Sequence, residues 1–114
     1  MYTRSEACAR GDRKVADGNG FAHMKILAEK EQMYQHVRLF NHVTMDPGVT
    51  FGSHAHDHET EFFYILRGDP VFNDNGTEVT LHPGDVAETG HGAMHSLENR
   101  TDGVVELIAL IVLE

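Results

Sequence analysis

Turn signals recur along this chain at short intervals, and they constrain its fold more than any other feature. Asp46-Pro47-Gly48, Asn73-Asp74-Asn75-Gly76, Pro83-Gly84-Asp85, Gly90-His91-Gly92 and residues 100–103 each interrupt a run rich in Val, Ile, Leu, Phe or Thr. Proline presets φ for a turn position, glycine accepts positive φ, and Asn-Gly between two strand-like runs is the strongest short hairpin signal. The runs so delimited are residues 21–27, 34–45, 50–56, 61–66, 71–72, 78–81, 86–89, 95–99 and 104–113, and their β-branched and aromatic content suits strands. Residues 28–32 are helix-prone but too short to hold a helix alone. Many short strands with almost no helix imply an all-β sandwich or barrel.

The chain has 114 residues, enough for one domain that buries roughly two-thirds of its unfolded surface. Residues 1–19 are polar, lack periodicity and carry Gly11 and Gly18; they read as an N-terminal arm lying against the body or a partner subunit. Residues 20–114 then form the single barrel domain. The net charge of −9 argues against nucleic acid, because phosphates demand a basic face. The longest apolar run, residues 107–113, is far shorter than a membrane span, so no membrane partner is expected. Cys8 is the only cysteine and the N-terminus shows no apolar leader, so the expectation is a cytoplasmic protein without disulfides.

Nine histidines stand in the chain, and His54, His56 and His58 cluster. On a strand, side chains alternate with period two, so His54 and His56 point to one face. A tight turn brings Glu61 back on the next strand, and His95 follows far downstream. Imidazoles with a carboxylate suit a borderline divalent transition metal.

These residues resemble the cupin superfamily. Its first motif is matched by Gly48, His54, His56, Glu61 and Gly68; its second by Gly84, Gly92, His95 and Asn99, with Gly90 where proline is expected. That departure touches a turn residue and leaves the donor set intact. The resemblance covers residues 34–113 and implies a jelly-roll barrel of two antiparallel sheets, with His54, His56, Glu61 and His95 binding one metal ion: Mn, Fe, Zn or Ni. An octahedral ion held by four protein donors keeps two positions for water or substrate, the mark of a working site rather than a closed structural one. It also implies a homodimer, for which residues 21–27 are the strand expected to cross to the partner, since an open sheet edge invites pairing.

Other polar residues are less determined. His58 falls in the turn after His56 and is expected to be exposed or to support the ligands from outside. His91 either overhangs the barrel mouth or is solvated, and His42 lies on a strand apolar on both faces, so its direction is open. Phe63 and Ile65 share a face with Glu61 and should line the barrel. Arg38 and Arg67 are expected as exposed, salt-bridged arginines rather than anion holders. Two functions follow: an enzyme (isomerase, decarboxylase or dioxygenase) acting on a small carbonyl, carboxylate or sugar-like molecule, or a module that binds a small metabolite or senses metal. A general acid or base beyond the ligands would separate them, and Glu88, His42 and His91 are the candidates. The cationic clamp that a sugar phosphate needs is not visible.

Overall fold

In the computed structural model, which describes residues 1–114, ten strands follow one another with little helix between them. They are β1 (Arg10–Arg13), β2 (Ala22–Ile26), β3 (Val37–Met45), β4 (Thr50–Ala55), β5 (Glu59–Arg67), β6 (Val71–Asp74), β7 (Thr77–Thr80), β8 (Val86–Gly90), β9 (Met94–Glu98) and β10 (Val105–Leu113). One helical turn, α1 (Lys30–Met33), joins β2 to β3, closed by a capping box between Glu29 and Gln32. No helix is long and apolar enough to cross a membrane.

Two antiparallel sheets make the jelly roll: β1-β2-β3-β10-β5-β8 and β4-β9-β6-β7. The expected hairpin closes β6 on β7. Asn75 and Gly76 both take positive φ, 49° and 106°, as a two-residue turn matched to the strand twist requires, and Asp74 stands opposite Thr77. β10 holds the centre of the larger sheet, paired with β3 on one side and β5 on the other. Its inner residues Val105, Leu107, Ala109 and Ile111 are buried and alternate with half-buried outer ones. Phe51, Phe63, Ile65, Phe72 and Leu97 fill the space between the sheets.

Three local readings change. The segment 1–19, read as an aperiodic arm, contains β1, which pairs with β2 from Arg10 opposite Lys25 to Arg13 opposite Ala22. β2, expected to cross to a partner, has both of its edges paired within its own chain, to β1 and β3. β5 does not return beside β4: residues 56–58 carry the chain across the barrel to the other sheet, and His58 sits in that passage at φ 59°.

Candidate metal centre

The site draws on both sheets. His54 on β4 stands directly opposite His95 on β9, and His56 follows at the end of β4; Glu61 faces them from β5 in the opposite sheet. A β-bulge aims the histidines. The β4–β9 register shifts between Phe51 and His54, so these two residues both face inward although an odd number of positions separates them. Glu61 shares the inner face of β5 with Phe63 and Ile65, all buried, as the alternation requires.

The four donors converge. His95 Nε2 lies 3.0 Å from His56 Nε2, 3.1 Å from His54 Nε2 and 3.1 Å from Glu61 Oε1, and His56 Nε2 lies 3.0 Å from the same carboxylate oxygen. All four donor atoms fall within 4.8 Å of one another. Hydrogen bonds do not explain this cluster, because one ring N–H on His95 cannot serve three neighbours at once. Two tautomers point the same way. His54 Nδ1 donates to Gly52 O at 2.7 Å, and His56 Nδ1 donates to Glu59 Oε2 at 2.5 Å. In their neutral forms, both Nε2 atoms therefore turn lone pairs toward the centre. Donors about 2.1 Å from one ion and at right angles to each other would lie about 3.0 Å apart. The buried His3Glu group thus fits a divalent ion in both spacing and chemistry.

The electrostatics agree. Burial lowers the pKa of His54, favouring its neutral form. The Glu61 carboxylate beside His56 raises that imidazole above its ordinary value, with Glu59 adding to the effect and burial opposing it. Burial alone would push Glu61 up, but its bonds to His56 and His95 outweigh this and hold it below the usual range.

A layer behind the donors fixes them. Arg38 clasps Glu59 in two parallel bonds of 2.7 and 2.6 Å, and Glu59 in turn holds His56. This clasp holds the Glu59 carboxyl down at about 2, with the His56 bond contributing. His95 is set differently: its Nδ1 is buried without a hydrogen-bond partner, and its ring is sandwiched by aromatics. Phe63 stacks on it at 5.0 Å and 13°, and Phe72 meets it edge-on at 5.8 Å.

The cluster opens on a cavity of about 290 Å³, walled by Phe51, Phe63, Leu39 and Ile111 and edged by Arg13, Arg38 and Asn41. The remaining candidates lie elsewhere. Asn41, Val43 and Met45 are the buried face of β3, so His42 points outward, where it bonds Glu106 at 3.0 Å. Glu88 is exposed on the outer face of β8. His58 is exposed against Glu114, and His91 sits with it in a surface depression. Arg67 pairs with Glu106. Gly90 ends β8 where a Cβ would lie 2.4 Å from Thr60 Oγ1, so glycine here allows β8 to close on β5. Sequence reasoning passed over Glu59, Asn41 and Arg13. The only early signal was for Glu59, a carboxylate three positions after His56. Asn99, the last residue of the second motif, is buried and ties Met45 O and Gly103 O together.

Fold and donor geometry together define a cupin barrel with a group that could hold a metal ion, and comparison with known proteins agrees on the family. Residues 41–112 match the family described as Cupin domain, so the chain belongs to the cupins. A Thermotoga maritima protein named oxalate-binding protein is 42% identical over 96 residues, covering 84% of this chain and 79% of that one. A crystal structure described as a predicted oxalate decarboxylase from Thermotoga maritima superposes with a TM-score of 0.93 at 37% identity, covering 100% of both chains. The polyketide cyclase RemF from Streptomyces resistomycificus shares the fold alone: TM-score 0.80, 12% identity, over 100% of this chain and 80% of that one.

Proposed function

We propose that this cupin binds a small dicarboxylate, oxalate first among them, at a divalent ion held by His54, His56, Glu61 and His95. The observation that carries the reading is the cavity: three of the four convergent donors, His54, His56 and Glu61, line a mainly apolar space whose edge offers cations and an amide and no other carboxylate. When bound, the ion supplies a Lewis-acidic centre that favours carboxylate oxygens. Around it the chain's own residues do the rest. Phe63 and Ile111 keep water from the ligand's flanks, Asn41 offers hydrogen bonds, and Arg13 offsets the negative charge that a net −9 protein would otherwise set against a dianion. The relatives named for oxalate support this choice of ligand.

Binding without turnover is the better-supported half of that reading. Decarboxylation of oxalate leaves a carbon that must take a proton to become formate. The titratable residues lining the cavity are Arg13, Arg38, His54, His56 and Glu61. Three of these are candidate ligands, and an arginine does not release its proton. The early acid–base candidates His42, His91 and Glu88 line other surfaces. Decarboxylation stands as a second reading on the description of the solved relative alone. Titration calorimetry of metal-loaded protein with oxalate, run beside a formate and carbon dioxide assay, tests both. Saturable binding without product is expected; no heat with metal present refutes the proposal, and formate release replaces it with the second reading.

We propose further that the protein is a homodimer joined through the outer face of the larger sheet. Phe40, Tyr64, Leu66 and Val86 are all exposed there, and the register makes them one patch: Tyr64 lies beside Val86 and Ile108, and Leu110 bridges Phe40 and Phe62. A contiguous apolar sheet face rimmed by Glu88, Glu106 and Arg67 suits a second copy of itself, apolar centre on apolar centre. Light scattering should give twice the chain mass, and Tyr64→Glu should halve it; a wild-type monomer would remove the proposal.

A further inference from the structure

The segment before residue 20 lies outside the cupin match, which begins at residue 41, yet it builds one wall of the cavity. After β1 the chain turns at Ala16 and Asp17, both at positive φ, 48° and 56°, and Gly18 N closes the turn on Val15 O at 2.9 Å. The turn is seated on β4. Val15 O also accepts Gly52 N at 3.0 Å, Asn19 N donates to Thr50 Oγ1 at 2.7 Å, and Asn19 Nδ2 donates to Gly48 O at 2.8 Å. Two glycines make this approach possible. A Cβ on Gly18 would stand 2.1 Å from Thr50 O, and one on Gly52 would stand 1.9 Å from Ala16 O. Two non-glycine residues in the left-handed region persist only where the surroundings over-determine them. The segment is therefore a fitted strap.

The strap carries Arg13 to the cavity's edge, on the same space as His54, His56 and Glu61. Arg13 differs from the other arginines. Arg4 lies over Tyr2, Arg10 bonds Ser5 and Cys8, Arg38 clasps Glu59, Arg67 pairs with Glu106, and Arg100 pairs with Glu78 and Glu98. Arg13 is exposed and makes no side-chain hydrogen bond or ion pair. Arg38, the other cation lining the space, has its charge answered by Glu59. Arg13 is thus the one cation without a partner among the residues lining the cavity.

We propose that Arg13 is a specificity-determining residue that pairs with the oxygens of a bound dicarboxylate turned away from the histidine cluster, and that the strap of residues 13–19 exists to place it there. The inference rests on the dicarboxylate reading above. It predicts discrimination: a dianion has outward oxygens for the guanidinium fork, and a monocarboxylate does not. The test is calorimetry of metal-loaded wild type, Arg13→Gln and Arg13→Lys with oxalate and with acetate as probes, with thermal melts to show that the exposed substitutions leave the barrel folded. Arg13→Gln should weaken oxalate about 10- to 100-fold, as expected for a lost charge-assisted contact. Acetate should change by less than about twofold, and Arg13→Lys should recover part of the loss. Oxalate affinity unchanged in Arg13→Gln overturns this inference and leaves the dicarboxylate reading standing. An equal loss for both probes makes Arg13 a general attractor of anions and overturns the specificity role. No oxalate binding by the wild type removes the dicarboxylate reading itself, and this inference with it.

Discussion

Glu59→Gln probes the layer behind the donors with the least change of shape. Glu59 accepts from His56 Nδ1 at 2.5 Å and from Arg38 Nε and Nη2. A glutamine in its place offers one oxygen and one N–H2 group. If the oxygen faces His56, the N–H2 group meets the guanidinium; if it faces Arg38, the N–H2 group meets the imidazole N–H. Either way one charge-assisted bond is lost, about 1.5–3 kcal/mol, and His56 loses the carboxylate that fixes its tautomer. Loss of such a partner ordinarily lowers metal affinity about 10- to 100-fold, so a chelator competition should show the Glu59→Gln site weaker by that factor, with the circular dichroism of the barrel kept.

The same substitution has a separate effect on the metal-free fold. Glu59 drops from an ordinary 4.5 to about 2, chiefly through Arg38. By linkage this stabilises the folded state by up to about 3 kcal/mol at neutral pH, and solvent at the half-exposed Arg38 screens it to about 1–2 kcal/mol. Because the folded value is depressed, the contribution is present above about 4.5 and is lost as pH falls toward 2. Urea melts of metal-free wild type and Glu59→Gln should therefore differ at pH 7 and converge on the acid side. A variant less stable without metal that still binds metal within twofold of wild type would refute the claim that Glu59 supports the ligand, leaving it a structural ion-pair partner of Arg38.

Three further outcomes are expected. Phe63→Ala removes a fully buried ring that stacks on His95, so it should cost about 3–5 kcal/mol in denaturant melts and weaken metal binding as well. His23 joins β1 to the turn after β3 through Asp12 and Asp46, which raise its pKa above 6.5; its tethering of β1 should be complete below about 6.5 and lost as pH rises through the raised value, seen as faster intrinsic-rate-corrected amide exchange at residues 10–13. Stability linked to the metal should be present at neutral pH and lost in acid, because the imidazoles coordinate only as neutral rings; melting curves with and without chelator should separate at pH 7 and merge in acid.

Strand by strand, the parts of the fold that were legible are those whose information is local. The Asn75-Gly76 turn needs only its own two residues to specify a hairpin, and β10 declares itself a strand by its apolar, β-branched run, though not which face is inner. β1 escaped because Arg10–Arg13 has no apolar side to declare: all four residues are exposed, and pairing with β2 alone makes them a strand. The direction of His42 escaped for the opposite reason. β3 presents Phe40 outward and Asn41 inward, which inverts the usual polarity at the one place where the alternation had to be read. The strand's register against β10, a contact across more than sixty positions, settles what its own composition leaves open.

The site divides along the same line. That His54, His56, Glu61 and His95 come together was legible in the two motifs, but Glu61 reaches the group from the opposite sheet rather than by a tight return beside β4. What surrounds them is tertiary. Arg38 meets Glu59 from 21 positions away, and Arg13 reaches the cavity only because Gly18 and Gly52 let two backbones approach closely. On the proposal above, metal binding rests on the four donors, whereas the choice of ligand rests on side chains brought in from β3 and from the strap, where local sequence carries no pattern to read. Two cupins could thus share His54, His56, Glu61 and His95 and still take different anions. Exchanging residues 10–19 for an unrelated strap should accordingly alter anion preference while leaving the metal content per chain unchanged; a change in metal content with anion preference kept would mean that the strap supports the ligands rather than the choice among anions.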